Sequence, residues 1–197
     1  MDYWDIFFPA DTIATGAAVP SGPITPFTSW QAWDAPATAA GSIISTTSSE
    51  GANSLEITPA PKDWGWGFFL NLANLEDLSN FNNASGKLNF SIKSTYAGKL
   101  EIGFFTGTTA TNTGADVYLP IASGEYGYVN DGAWHNVSIP VSAIAAKAAP
   151  AYAQPATVTL NMAKVSNAFV IADRYAITGN SAGSTIKIGI DNIYWSK

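Results

Sequence analysis

The sequence contains no cysteine, one histidine and one arginine, and only 12% of its residues are charged. The absence of cysteine excludes disulfides and thiol chemistry. Hydrolytic, redox and phosphoryl-transfer sites are built from histidine, cysteine, arginine, lysine or clustered carboxylates, and this chain has few of them. The composition therefore argues against an enzyme.

Positive charge is scarce as well, since the net charge is −6 and the pI is near 4.5. Nucleic acids and anionic membranes attract basic patches, so we expect neither as a partner. Acidic and sulfated glycans usually require arginine or lysine for binding, whereas an uncharged polysaccharide does not. A neutral glycan remains compatible with this charge balance.

Long apolar runs are also missing. No stretch approaches the roughly 20 apolar residues that a membrane-spanning helix needs. The first residues lack the basic segment and apolar segment of a secretory signal. A methionine directly before strand-like sequence is interpreted as the start of a piece of a longer secreted protein, so an extracellular location is expected.

Aromatic residues are abundant, with 7 Trp, 8 Tyr and 10 Phe, and 47% of the chain is hydrophobic. That content can form a sizeable core. A surplus of flat aromatic surface without reactive groups favours a protein that binds, and sugar is the leading ligand.

Short runs that alternate apolar and polar residues dominate the chain and predict about eleven strands. Two runs, Leu88–Ile92 and Leu100–Phe104, flank Tyr96–Lys99 and predict a hairpin. The pattern predicts an all-β fold, an antiparallel β-sandwich, as a single domain over residues 1–197. The other predicted strands are Tyr3–Phe8, Ser42–Thr47, Ser54–Thr58, Trp64–Leu70, Asp116–Ile121, Glu125–Val129, Trp134–Val141, Phe169–Asp173 and Ser184–Trp195.

Two segments interrupt this rhythm. Pro9–Ala40 is predicted to be a long loop, and loops of that length in a compact domain are often functional. Ser142–Ala149 could form one or two helical turns.

The last predicted strand changes phase. The isoleucines of 186–190 share one parity, whereas Ile193 and Trp195 share the other. A change of phase at Asp191 and Asn192 predicts a β-bulge, which would redirect the Asp191 side chain.

Three segments carry a family resemblance: Gly51–Ile57, Trp134–Val141 and Ile190–Trp195. In this order they resemble the galactose-binding-like β-sandwich carbohydrate-binding modules, such as families 4, 11 and 22, over residues 42–197. Asp116–Ile121 and Phe169–Tyr175 look like segments of modules appended to bacterial laminarinases and related β-glucanases.

The resemblance implies a jelly roll that carries a structural calcium. It assigns Asp191 and the carbonyl of Asn53 as calcium ligands, with Glu50 and either Asp5 or Asp11 as further candidates. Calcium prefers six to eight oxygen ligands. The alternative is that the Asp191 carboxylate accepts hydrogen bonds and fastens a strand end.

Aromatic side chains and the single arginine are the candidate sugar-binding residues. The aromatic rings could stack on pyranose faces or, alternatively, pack in the core. Arg174 could bind sugar hydroxyls or pair with Asp173 or Asp116. The candidates are Trp30, Trp33, Trp64, Trp66, Tyr118, Tyr126, Tyr128 and Arg174.

These observations predict a non-catalytic, monomeric module that binds a neutral β-glucan. The expected target is β-1,3-glucan (laminarin). The module is expected to direct an attached glycoside hydrolase to this polysaccharide. One alternative is a jelly-roll glycoside hydrolase or polysaccharide lyase. A retaining glycosidase needs two carboxylates about 5 Å apart, and the five glutamates do not form the E-x-D-x-x-E motif of laminarinases. The other alternative is a structural or adhesin domain that binds no sugar.

Overall fold

The computed structural model describes residues 3–7, 21–23, 28–32, 40–44, 47–59, 65–107, 114–151, 154–174 and 186–197. These residues form an α-helix, α1 (Val141–Ala145), and two short 3-10 turns at Ser79–Phe81 and Met162–Lys164. The strands are β1 (Tyr3–Phe7), β2 (Ser21–Pro23), β3 (Thr28–Ala32), β4 (Ala40–Ile44), β5 (Ser54–Thr58), β6 (Gly65–Glu76), β7 (Lys87–Ser94), β8 (Leu100–Thr106), β9 (Ala115–Ile121), β10 (Trp134–Pro140), β11 (Ala148–Pro150), β12 (Val165–Arg174) and β13 (Ile188–Ser196).

The strands pair into two antiparallel sheets. The first sheet has the order β10-β7-β13-β5-β4, with β1 also paired to β13. The second sheet has the order β11-β9-β8-β12-β6-β3-β2. The predicted all-β antiparallel sandwich is confirmed. No helix in the described part of the chain is long and apolar enough to cross a membrane.

The core lies between the two sheets, where alternate residues of each strand meet. Trp195 is fully buried at its centre, with its ring centroid 5.1 Å from that of Phe104 and 5.8 Å from that of Phe81. Its indole N–H donates to the carbonyl of Ala168 at 3.0 Å. Trp195 therefore joins β13 of the first sheet to β8 and β12 of the second.

The predicted bulge in the last strand is confirmed. Ser91 lies opposite Asp191 and Asn89 lies opposite Tyr194, so β13 has one more residue than β7 over this interval. Asn192 takes a left-handed conformation, with φ 49°. The bulge lies where β13 changes neighbour, from β5 at 188–190 to β1 at 193–196.

The predicted hairpin between the runs at Leu88 and Leu100 is wrong. The first run is part of β7 in the first sheet and the second is part of β8 in the second sheet. Residues 95–99 therefore cross from one sheet to the other. Alternation of apolar and polar residues shows that a strand has one buried face. Two strands that face each other across a core show the same alternation as two strands that pair in one sheet, so the pattern does not distinguish them.

Three further predictions need correction. The strand at Glu125–Val129 is a turn, because Tyr126 and Gly127 are left-handed, with φ 52° and 91°. The long loop at Pro9–Ala40 contains β2 and β3, which pair at the edge of the second sheet. The helical turns end at Ala145, and Ala148 begins an edge strand, β11.

Candidate functional site

The outward face of the second sheet carries aromatic side chains, because its strands alternate regularly. In β8, Phe104 is buried in the core and Phe105 is half-buried on the opposite side. In β6, Phe68 is buried and Phe69 is half-buried. Tyr118 is the equivalent outward residue of β9. We call the surface formed by Phe69, Phe105 and Tyr118 the aromatic face.

The three rings form a continuous row across the sheet. The ring centroids of Phe69 and Phe105 are 5.8 Å apart with an interplanar angle of 50°. Those of Phe105 and Tyr118 are 5.5 Å apart at 61°. Val170 and Gly103 lie opposite each other in the sheet beneath this row. Both of these residues are buried, whereas the three rings are only half-buried, so the ring surfaces are the exposed feature here.

Arg174 lies at one end of the row, over the Tyr118 ring, with Cζ 3.8 Å from the ring centroid. Its Nε donates to Glu101 Oε2 at 3.0 Å and its Nη2 donates to Oε1 at 2.9 Å. The backbone N–H of Arg174 also donates to Oε2, at 3.0 Å. This two-point pairing fixes the plane of the guanidinium.

The Glu101 side chain is only 2% exposed, so its charge state depends on burial and on its hydrogen-bond partners. Burial alone would raise the pKa of Glu101, but the hydrogen bonds and charge of Arg174 hold it below its ordinary value. Lys99 adds a weaker contribution, with Nζ 3.3 Å from Oε1. Glu101 is therefore an anion paired with Arg174.

Asp116 is on the same side of β9 as Tyr118, opposite Phe105 in the register. Burial raises the pKa of Asp116 to about 6, although the positive charge of Arg174 acts in the opposite direction. At the other end of the row, the Asn167 amide donates to Asn71 Oδ1. The aromatic face is thus bordered by a carboxyl group at one end and by paired amides at the other.

This combination suits hydroxyl-rich ligands. The rings can stack on the apolar faces of pyranose units, and the bordering amide, carboxyl and guanidinium groups can hydrogen-bond to hydroxyls. Hydrolysis would require a carboxylate acting as nucleophile or base. Glu101 is engaged by Arg174 at both oxygens, so it does not supply one.

The structure brings together two of the predicted sugar-binding residues, Tyr118 and Arg174. Trp66 is fully buried and donates to the Tyr96 hydroxyl at 3.1 Å, so it packs in the core and offers no ring face to a ligand. Tyr128 is 3% exposed and also belongs to the core. For these two residues the packing alternative is the correct one.

The remaining predicted residues lie elsewhere. Tyr126 is 37% exposed, in the turn beside β10 of the first sheet. Trp30 occupies the position of β3 opposite Leu70. Trp33 and Trp64 lie outside the described residues.

Sequence reasoning missed Phe69 and Phe105. Each follows another phenylalanine, in the pairs 68–69 and 104–105. Adjacent residues of a strand point to opposite faces, so a Phe-Phe pair must place one ring away from the core. Two such pairs in strands of one sheet were the available signal.

Asp191 is fully buried at the bulge and fastens the loop before β5. Its Oδ2 accepts the backbone N–H groups of Ser49 at 2.8 Å and Glu50 at 3.1 Å, and its Oδ1 accepts that of Asn192 at 2.9 Å. Burial raises the pKa of Asp191, and these N–H groups oppose the shift. This contact matches the hydrogen-bonding alternative given for Asp191.

The other predicted calcium ligands are only partly placed. Asn53 is 6% exposed next to this loop, and Glu50 accepts the side-chain amide of Asn192 at 3.0 Å. Asp5 lies opposite Tyr194, and Asp11 is outside the described residues. No group of three acidic, histidine or cysteine residues that could hold a metal occurs in the described ranges.

The family model for carbohydrate binding domain 30 matches residues 26–197. The structure is similar to the family 30 carbohydrate-binding module of the cellulosomal cellulase Cel9D-Cel44B of Clostridium thermocellum, with 19% identity over 100% of this chain and 98% of that one and a TM-score of 0.64. No curated protein sequence matches the chain significantly.

Family 11 modules share the fold. The module of cellulase Lic26A-Cel5E of Clostridium thermocellum is 14% identical over 98% of this chain and 94% of that one, with a TM-score of 0.60. A family 11 module from the same organism, in complex with a β-1,3-1,4-mixed-linked tetrasaccharide, is 15% identical over 99% and 95%, with a TM-score of 0.61.

The two-sheet sandwich and the family match identify a non-catalytic carbohydrate-binding module, as the scarcity of catalytic side chains predicted. The family match covers most of the sequence. The chain belongs to the carbohydrate binding domain 30 family.

Proposed function

We propose that this module binds a neutral β-glucan containing β-1,3 linkages along the aromatic face. The observation that carries the proposal is the continuous row of half-buried rings, Phe69, Phe105 and Tyr118. Rings spaced 5.5 to 5.8 Å apart offer apolar contact to consecutive sugar units. The only arginine is already paired with a buried glutamate, so the face does not select for anionic sugars.

The tilt between the rings supports β-1,3 linkages. Successive rings are inclined by 50° and 61°, so a flat ribbon cannot contact all three of them face to face. A chain with β-1,3 linkages curves and can present sugar faces at successive angles. The similar family 11 module, bound to a mixed-linked tetrasaccharide, supports the same ligand class.

The biological role proposed for this binding is targeting. A monomeric extracellular module attached to a glycoside hydrolase would hold the enzyme near its polymer and raise the effective substrate concentration. Similar modules are parts of cellulases, which supports such an attachment. Affinities from about 1 mM to 1 μM would suffice, or roughly −4 to −8 kcal/mol.

Isothermal titration calorimetry with laminarihexaose, a mixed-linkage hexasaccharide and cellohexaose tests the proposal. We expect the β-1,3-containing sugars to bind more tightly than cellohexaose. Phe105→Ala and Tyr118→Ala should each weaken binding by about 10-fold, since a buried aromatic contact contributes about 1.4 kcal/mol or more.

Tyr126→Ala is the matched control, because Tyr126 is an exposed tyrosine away from the aromatic face. This variant should bind as the wild type does. Unchanged affinity in both face variants would refute the site, and tighter binding of cellohexaose would refute the linkage preference. Failure to bind any of the three sugars would favour a structural domain.

A further inference from the structure

A groove on the opposite side of the molecule is separate from the aromatic face. It lies on the outward face of the first sheet and has a volume of about 260 Å³. It extends across β7, between β10 and the bulge of β13. Its polar lining consists of the amides of Asn89, Asn136 and Asn192, the hydroxyls of Ser91 and Ser138, and the carboxylate of Glu50.

Hydrogen bonds orient the groups along the groove. The Ser91 hydroxyl donates to Asn136 Oδ1 at 2.9 Å, and the Ser138 hydroxyl donates to Asn89 Oδ1 at 2.8 Å. Asn136 is exposed, and the bond from Ser91 uses only its carbonyl oxygen. The side-chain amide of Asn136 therefore lines the groove in an orientation that this bond sets, which lowers the entropic cost of binding.

The bulge forms the opposite wall. The left-handed Asn192 donates its side-chain amide to Glu50 Oε2 at 3.0 Å, and the Asp191 carboxylate holds the backbone of Glu50 in place. Tyr194, the residue of β13 opposite Asn89, is half-buried at the edge of the groove. The wall is therefore a fixed feature that contributes a phenol and an amide.

An indole continues this face beyond Asn136. Trp134 precedes Asn136 by two residues in β10, so it lies on the same side of the sheet, and it is half-buried. Its ring passes over Gly189, where a Cβ atom would come within 2.8 Å of Cη2. Glycine at this position thus allows the indole to lie close against β13, next to the polar groove.

The chemistry of the lining identifies the ligand class. Among the described residues, no lysine or arginine lines the groove, whereas the Glu50 carboxylate does, so an anionic ligand is disfavoured. Lys93 lies opposite Trp134 in the register, beyond the groove lining. Amides and hydroxyls that both donate and accept, beside a tryptophan and a tyrosine, match the hydroxyls and apolar face of an uncharged sugar. We propose that this groove is a second carbohydrate-binding site, which takes one or two units of a neutral sugar independently of the aromatic face.

Amide chemical shifts of the 15N-labelled protein test this proposal in titrations with glucose and laminaribiose up to about 50 mM, a range suited to millimolar affinity. We expect the amides of Ser91, Asn136, Ser138 and Asn192 to shift along one saturating isotherm. The amides of Phe105 and Tyr118 should follow a different isotherm. No shift of the groove amides with either sugar would overturn the proposal.

Variants separate the two sites. Asn136→Ala should weaken the groove isotherm by about 10-fold, since each lost hydrogen bond to a neutral group contributes about 1 kcal/mol and Asn136 offers more than one. Ser138→Ala provides a second test on the same wall. Tyr118→Ala should leave the groove isotherm unchanged while weakening the aromatic-face isotherm.

Other outcomes are equally informative. If the groove and face isotherms are weakened together by Tyr118→Ala, the groove is not an independent site and the proposal fails. If calcium shifts the groove amides and the sugars do not, the groove is a cation site and the proposal also fails. Loss of binding at the aromatic face alone would refute the proposed function and leave the groove proposal standing.

Discussion

Replacing Arg174 by alanine should destabilise the protein in a pH-dependent way. The side chain supplies two charge-assisted hydrogen bonds to Glu101, which is only 2% exposed. At about 1.5 kcal/mol each, their loss should cost about 3 kcal/mol at pH 7. The backbone N–H of residue 174 and Lys99 would remain as partners of the carboxylate.

The sign of the pH dependence follows from the pKa of Glu101, which is lowered in the folded protein. The stabilisation from a lowered pKa is present above the ordinary glutamate value and is lost as the pH falls through the lowered one. In Arg174→Ala, burial instead raises the pKa of Glu101, and at pH 4 the carboxyl is protonated. The cost of the substitution should therefore fall to about 1 kcal/mol at pH 4.

Urea unfolding of the wild type and Arg174→Ala at both pH values measures this difference. The double variant Glu101→Gln/Arg174→Ala should recover much of the loss at pH 7, because no buried charge then remains unpaired. Lys99→Ala is the control, and it should cost less than about 1 kcal/mol because Lys99 is exposed. An equal cost at pH 7 and pH 4, or no recovery in the double variant, would refute the reasoning.

Three further outcomes are expected. Asp116→Asn should stabilise the protein by up to about 3 kcal/mol at pH 7.5 and have little effect at pH 3.5, which urea unfolding at both pH values checks. The reason is that the pKa of Asp116 is raised to about 6. An ionised acid with a raised pKa disfavours folding increasingly as the pH rises from 4 to 6. Asp191→Ala should lower the free energy of unfolding by about 3 kcal/mol, because three backbone N–H groups lose their acceptor. Glu50 is exposed, so Glu50→Ala should lower it by less than about 1 kcal/mol. If a structural calcium is bound, a chelator should lower the melting temperature by a few degrees or more, and no change in calorimetry would contradict the calcium prediction.

The fold class and the bulge could be predicted because both depend on local alternation. Strand parity determines which residues share a face, and the change of phase at Asp191 marked the bulge. Sheet membership could not be predicted in the same way. The runs at Leu88 and Leu100 have equivalent patterns, yet they belong to different sheets.

The site was harder to predict because it is assembled across strands. Tyr118 and Arg174 are far apart in sequence and meet only because β9, β8 and β12 are neighbours in the second sheet. Trp66 was an attractive candidate by residue type, but its parity in β6 places it in the core. Phe69, on the opposite parity, lies on the aromatic face.

The position of β13 between β7, β5 and β1 has a consequence for the order of assembly. β13 is the last described strand in chain order and pairs with all three of these earlier strands. The first sheet therefore cannot close during translation until this segment has left the ribosome. Pairings of such large sequence separation slow folding. Until they form, β5 and β7 would leave unpaired backbone N–H and C=O groups along the edges that β13 later covers.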